Sequence, residues 1–197
     1  FFIFLLAIEL QAKAPLEFQE IDELSYQDPD KALIQITAIG TTKDDRNTIF
    51  WLDVIKAKAL YHLNRFSESQ SLLIKVESRF EDTTRNDIKE MTYRLMGQNY
   101  YRMGGLDQAM NQALKGQLIA EQDGMILEQA QITNMIGAIN LRSGKHDIAL
   151  EKFLQALASF EASDSKIDIA KVKNNLAALY IEQKDFDLAK AYLSDSL

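Results

Sequence analysis

The chain of 197 residues carries 22 Lys and Arg against 29 Asp and Glu, a formal charge of −7, with 47% apolar and 26% charged residues. That balance excludes wholesale disorder and argues against a general nucleic-acid binder, which needs surplus cations to displace phosphate counterions. Eight Gly and two Pro are few turn-formers for this length, which favours long helices, and the absence of Cys excludes disulfides, thiolate metal sites and a cysteine nucleophile.

Residues 1–14 read as a truncated secretory signal peptide. Phe1 to Ile8 is an unbroken apolar run, and Ala12-Lys13-Ala14 ahead of Pro15 supplies the small-x-small triplet of a cleavage site. The basic start of such a peptide would lie upstream of Phe1. A fragment of a membrane anchor and the first turns of an amphipathic helix are the alternatives, although eight apolar residues fall short of the ~20 that span a bilayer. Residues 15–46 follow as a degenerate helix pair or N-terminal cap: Leu16 to Tyr26, then a second helix opened by Asp28-Pro29-Asp30, where the missing N–H of Pro29 has no partner to lose. Gly40 to Arg46 is a polar connector.

From residue 47 onward four columns recur at intervals of forty. Ala57, Gly97, Gly137 and Ala177 are small, as are Ser69, Ala109, Ala149 and Ala189. Ser67, Asp107, Asp147 and Asp187 are residues suited to a helix N-cap, and Phe66, Leu106, His146 and Phe186 precede them. The period divides residues 47–197 into units near 50–89, 90–129, 130–169 and 170–197. Each reads as two helices. In the third, Ile132, Ile136, Ile139 and Asn140 keep helical spacing over 131–143, and Gly144-Lys145 provides a turn with positive φ. Asp147 is then expected to cap a second helix whose stripe runs through Ile148, Ala149, Leu150, Phe153, Leu154, Ala156, Leu157 and Phe160. Gly104-Gly105 and Asn64 take the turn role in the earlier units. Small columns are what close helix crossings require. Leu197 falls in mid-helix, so the native chain is expected to continue.

These residues resemble the tetratricopeptide repeat family: Gly97 with Tyr100, Gly137 with Ala149, Phe153 and Ala156, and Ala177 with Tyr180 and Ala189 fall at its signature spacing. The period is longer than the family's usual one of about thirty-four, similar to longer-helix variants in bacterial regulators and sensors. Lys56 departs from the apolar Met96, Ile136 and Leu176, and Asn140 stands where an aromatic is expected. The resemblance implies an all-α fold, an α-solenoid of stacked antiparallel helix pairs in a right-handed superhelix, whose first helices line a concave peptide-binding surface. Carried across, the groove positions are Trp51, Lys58, Tyr61 and His62, then Arg94, Gln98, Tyr101 and Arg102, then Asn134, Ala138 and Arg142, and finally Lys171, Asn174, Ala178 and Glu182. Lys58, Arg94, Arg102, Arg142 and Lys171 are cationic and Glu182 alone is anionic. The expected partner is therefore a protein or peptide with an acidic segment or a free C-terminal carboxylate, its backbone bonded by Asn134 and Asn174. The alternative is that these cations pair with acidic residues on neighbouring helices.

Catalysis finds no support. The two histidines, His62 and His146, sit in different units; no nucleophile elbow, phosphate loop, dinucleotide fingerprint or His-Glu-x-x-His occurs. Asp44-Asp45 and Glu81-Asp82 read as solvated connector charge, Asp28-Pro29-Asp30 lacks the rest of a calcium loop, and Met91, Met96, Met103 and Met135 read as packing. The expectation is a non-enzymatic interaction module without cofactor or metal, with no nucleic-acid partner, touching a membrane only through segments outside this sequence. Its expected place is exported, as the extracytoplasmic sensory region of a bacterial membrane-bound signalling protein of the diguanylate cyclase or histidine kinase type. A free periplasmic scaffold and a cytosolic peptide-sensing regulator are the rivals.

Overall fold

The computed structural model describes residues 16–40, 46–83 and 85–194, and among them it contains ten α-helices, one 3-10 turn and no strand. The expected signal peptide, the Asp44-Asp45 pair and Leu197 lie outside the described residues. In chain order the helices are α1 (Leu16–Gln27), α2 (Pro29–Gly40), α3 (Arg46–His62) and α4 (Phe66–Glu77); a 3-10 turn at Phe80–Asp82 follows. Then come α5 (Asn86–Met103), α6 (Leu106–Gln122), α7 (Ile126–Arg142), α8 (His146–Ala162), α9 (Lys166–Glu182) and α10 (Phe186–Ser194). The described residues up to 119 form one compact unit and those from 120 onward a second.

The turns between paired helices are two or three residues long, so each second helix must run back along its predecessor. One geometry serves all four. Asn64, Gly104, Gly144 and Lys184 have φ of 59, 88, 74 and 63°. The next residue then donates its N–H to a carbonyl five residues back: Arg65 to Leu60 (2.9 Å), Gly105 to Tyr100 (2.8 Å), Lys145 to Asn140 (2.9 Å) and Asp185 to Tyr180 (2.9 Å). Orphan carbonyls at the helix end are thereby satisfied. At Lys184 the left-handed conformation costs about 1 kcal/mol that glycine would not.

This geometry moves the caps. The second helices begin at Phe66, Leu106, His146 and Phe186, so Ser67, Asp107, Asp147 and Asp187 lie inside the first turn and are not N-caps. The residue just before α4 or α8, Arg65 or Lys145, makes no side-chain cap. The acidic members of the column instead set negative charge against the helix dipole. True caps occur elsewhere: Asp185 accepts the Leu188 N–H at 3.1 Å, and Asp28 accepts that of Lys31 at 3.1 Å with Pro29 opening α2.

In the first unit α3 packs against α1, α2, α4 and α5. Its buried residues run around most of its circumference, from Phe50, Trp51 and Leu52 to Val54, Ile55, Ala57 and Ala59, as expected of a helix enclosed on several sides. Phe18, Ile21, Ala32, Ile36, Leu73, Val76, Ile88, Leu95 and Met96 complete that core. The small columns meet here: the hydroxyl of Ser69 donates to the Ala57 carbonyl at 2.7 Å. In the second unit α7 packs on α8, α8 on α9, α9 on α10, and α7 touches α9. Its core gathers Ala130, Leu141, Ala149, Phe153, Ala156, Phe160, Val172, Leu176 and Leu179. A Cβ placed on Gly137 would stand 2.6 Å from the Phe153 ring, so only glycine lets α8 seat that ring against α7. Full burial of such a side chain contributes on the order of 2–3 kcal/mol.

Candidate partner-binding faces

In the second unit the first helices of two consecutive pairs, α7 and α9, share a polar seam. Gln131 Nε2 donates to Asp168 Oδ2 at 3.4 Å, and Asn175 Nδ2 donates to Asn134 Oδ1 at 2.8 Å. At the open end of α9, His146 Nε2 lies 3.0 Å from Glu182 Oε2. Asp168 also accepts from Ser165 Oγ (2.9 Å) and Lys171 Nζ (3.0 Å). Burial works against ionising this carboxyl, but the hydrogen bonds from Lys171, Ser165 and Gln131 outweigh it and hold the group below its usual range. Ala138 is half-buried and Ala178 exposed, and Asn174 and Arg142 reach solvent on the same helices. A partner can approach the backbone closely where those alanines stand.

In the first unit the corresponding helices are α1, α3 and α5. Lys58 of α3 makes a 2.7 Å ion pair with Asp22 of α1, both about a quarter exposed. Arg94 is tied to Glu90 one turn earlier at 2.7 Å, with Glu90 buried. Two nitrogens of Arg85 hold the Asp87 carboxylate, which binds the guanidinium's proton more firmly, and the same guanidinium lies 5.7 Å above the Trp51 ring. Tyr26, His62, Tyr61 and Phe66 form a run of edge-to-face contacts with centroids 5.0 to 5.5 Å apart. Arg102 rests at its end, 4.9 Å from the Phe66 centroid and 5.9 Å from that of Tyr61. Gln98 and Tyr101 are half-buried on α5.

Comparison with known proteins places this arrangement. Residues 128–197 match the tetratricopeptide repeat family. Residues 128–197 carry tetratricopeptide repeats. Among solved structures it is similar to BtubC (BKLC) from P. vanneervenii, at 24% identity and TM-score 0.60, covering 94% of this chain and 70% of that one. It is also similar to a signal-transduction ATPase with numerous domains that carries a tetratricopeptide repeat sensor, from Pyrococcus horikoshii: 19% identity, TM-score 0.71, 90% of this chain but 28% of that one. Nearly identical TPR-like repeats of a putative kinesin light chain from Podosopora anserina match at 15% identity and TM-score 0.62, covering 91% and 92%. At these identities the likeness is one of fold. No curated protein matches the chain. Tetratricopeptide repeats are protein-interaction modules and are in general non-catalytic. Among the described residues no group of three His, Asp or Glu is placed to hold a metal ion, and no helix is long and apolar enough to cross a membrane.

The repeat faces differ from the groove that the signature positions suggest. Trp51 is fully buried in the core of the first unit and so is not a groove residue. Lys58 is withdrawn into its pair with Asp22 of the N-terminal helices, an element the repeat pattern does not include. Arg94 and Lys171 are partnered within their own helices, by Glu90 and Asp168, so of these three cations only Lys58 pairs with an acidic residue on a neighbouring helix. Asn134 accepts from Asn175 rather than meeting Asn174, which is exposed on the same helix as Asn175. Tyr61, His62 and Arg102 do come together, with Tyr26 and Phe66 added. Asn175 and Asp22 carry no signature of their own, and Phe66 stands in the sequence only as a member of a repeat column. Each matters through a side chain 36 to 41 residues away, and only a repeat offset scanned for polar or aromatic complementarity could have raised them.

Proposed function

We propose that this segment is a non-catalytic module that binds a polypeptide segment along the first-helix faces of its repeats. The observation that carries the reading is the α7–α9 seam, where Asn134 and Asn175 present amides beside Ala138 and Ala178, a surface open to an extended backbone. A carboxylate, on an acidic segment or at a chain end, suits the cations of these faces. The test is selection of displayed peptides against the whole chain, followed by affinity measurement with Ala178→Arg and Ala138→Arg. Selected peptides should lose about tenfold or more when the alanine site is filled. Failure to select any peptide, or binders indifferent to both variants, overturns the reading.

The module's proposed place is outside the cytoplasm, as the sensory region of a bacterial membrane-bound signalling protein of the diguanylate cyclase or histidine kinase type. The Phe1–Ile8 run ahead of Ala12-Lys13-Ala14 supports export, and the repeats of the Pyrococcus horikoshii protein are described as a sensor. Fusion of the native leader and this segment to alkaline phosphatase should give active enzyme, which matures only after export; an inactive fusion overturns the placement.

A further inference from the structure

Seven cations of the first unit are matched with carboxylates: Arg46 with Asp82, Lys58 with Asp22, Arg65 with Glu68, Arg79 with Asp53, Arg85 with Asp87, Arg94 with Glu90 and Lys115 with Glu77. Arg102 is different. Its side chain is exposed, its Cζ lies 4.9 Å from the Phe66 centroid and 5.9 Å from that of Tyr61, and among the described residues its guanidinium donates from Nη2 to Asn64 Oδ1 at 3.2 Å. No described carboxylate pairs with it. A guanidinium stacked on rings keeps the edges of its plane for in-plane hydrogen bonds, the geometry that a carboxylate matches with two oxygens. Stacking also removes rotamer freedom before any ligand arrives, so less is lost on binding.

We infer that Arg102, on its shelf of Phe66 and Tyr61, is a specificity residue that takes the side-chain carboxylate of an Asp or Glu within a bound polypeptide. The inference rests on the proposed interaction role and names the partner chemistry of one part of it. An internal acidic side chain fits better than a chain end. Capture of a chain end uses a nest of free backbone N–H groups, and the three turn residues beside the shelf have theirs engaged. Leu63, Asn64 and Arg65 donate theirs to Ala59, Tyr61 and Leu60. Asn64, whose left-handed turn geometry fixes its position, orients the guanidinium by its amide oxygen.

The experiment uses the whole chain and peptides selected by display against it, remade with acetylated and amidated ends and in Glu/Gln and Asp/Asn matched pairs. Affinity is read by fluorescence anisotropy for the wild type, Arg102→Gln, Arg102→Lys and the control Lys75→Gln, with circular dichroism verifying the fold of each. Neutralising the peptide's acidic residue should weaken binding to the wild type about tenfold. The same change should have little effect on Arg102→Gln, an intermediate effect on Arg102→Lys, and a wild-type effect on Lys75→Gln. Phe66→Leu, which keeps the cation and removes the ring, should lose part of the acid preference. Equal losses in wild type and Arg102→Gln, or binders that need an unblocked chain end, overturn this inference and leave the interaction reading standing. Absence of any binder removes both.

Discussion

The two units solve the same helix-packing problem with different interiors. In the second, Gly137 of α7 receives the ring of Phe153, Ala149 sits nearby with no exposure, and Ile139 and Leu179 fill their column with hydrocarbon. In the first, the matching positions hold Ala57, Ser69, Ala59 and Asn99. Ser69 donates to the Ala57 carbonyl, while the buried Asn99 amide donates to Ser69 Oγ at 2.9 Å and to Gln70 Oε1 at 3.3 Å. Hydrocarbon of complementary size packs without further conditions, whereas a buried polar cluster is stable only as a set. The family match falls on residues 128–197, inside the second unit.

Several substitutions would break or sharpen the contrast. Phe153→Ala should be the most damaging, at about 3–5 kcal/mol, since it opens a cavity in a fully buried site. Denaturation followed by far-ultraviolet circular dichroism should shift more than the fluorescence of Trp51, the single tryptophan, which reports the first unit. Asn99→Leu should cost roughly 1–3 kcal/mol, because it strips Gln70 of its partner inside the protein. Adding Gln70→Met, which copies Met110 of the same column, should recover most of the loss; no recovery would mean that the polar set is not what distinguishes the first unit. Gly137→Ala should cost about 1 kcal/mol net, overpacking against Phe153 being partly offset by better helix propensity.

The smallest effects concern pH, and they fall at opposite ends of the scale. Burial, with the charge and hydrogen bond of Glu77, raises the Tyr93 hydroxyl of the first unit to about 12. A raised value means that the folded state holds the proton longer, so this stabilisation is complete below the usual tyrosine range and is lost as pH rises toward 12. Tyr93→Phe should flatten that decline in a comparison of denaturation midpoints. In the second unit the depressed Asp168 carboxyl acts in the other direction: its contribution is present above the ordinary aspartate value and disappears as pH falls through the lower folded one. Asp168→Asn should remove that acid sensitivity and leave the alkaline limb unchanged.

Much of the helical scaffold was legible, and for local reasons. Asn64, Gly104 and Gly144 stand at left-handed turns as their chemistry suggests, whereas Lys184 adopts φ of 63° without such a signal. Met96 and Met135 are buried packing residues, Met91 packs against the core and Met103 is exposed. The cap column failed by a single step, since the turn's closing hydrogen bond draws the helix start back to Phe66, Leu106, His146 and Phe186. Of the groove positions, Tyr61, His62 and Arg102 form one connected cluster, and Trp51 is core.

The amino-acid order by itself determined helix lengths, the tight returns and the small residues at crossings, because these depend on contacts within a turn or between partners in one pair. Which first-helix side chains stay available was decided only by the tertiary structure. Asp22 reaches Lys58 across 36 positions, Arg102 settles on Phe66, and Asn175 rather than Asn174 meets Asn134. Helical periodicity assigns a face to each residue, but whether a neighbouring helix already occupies that face follows from packing between elements far apart in the chain.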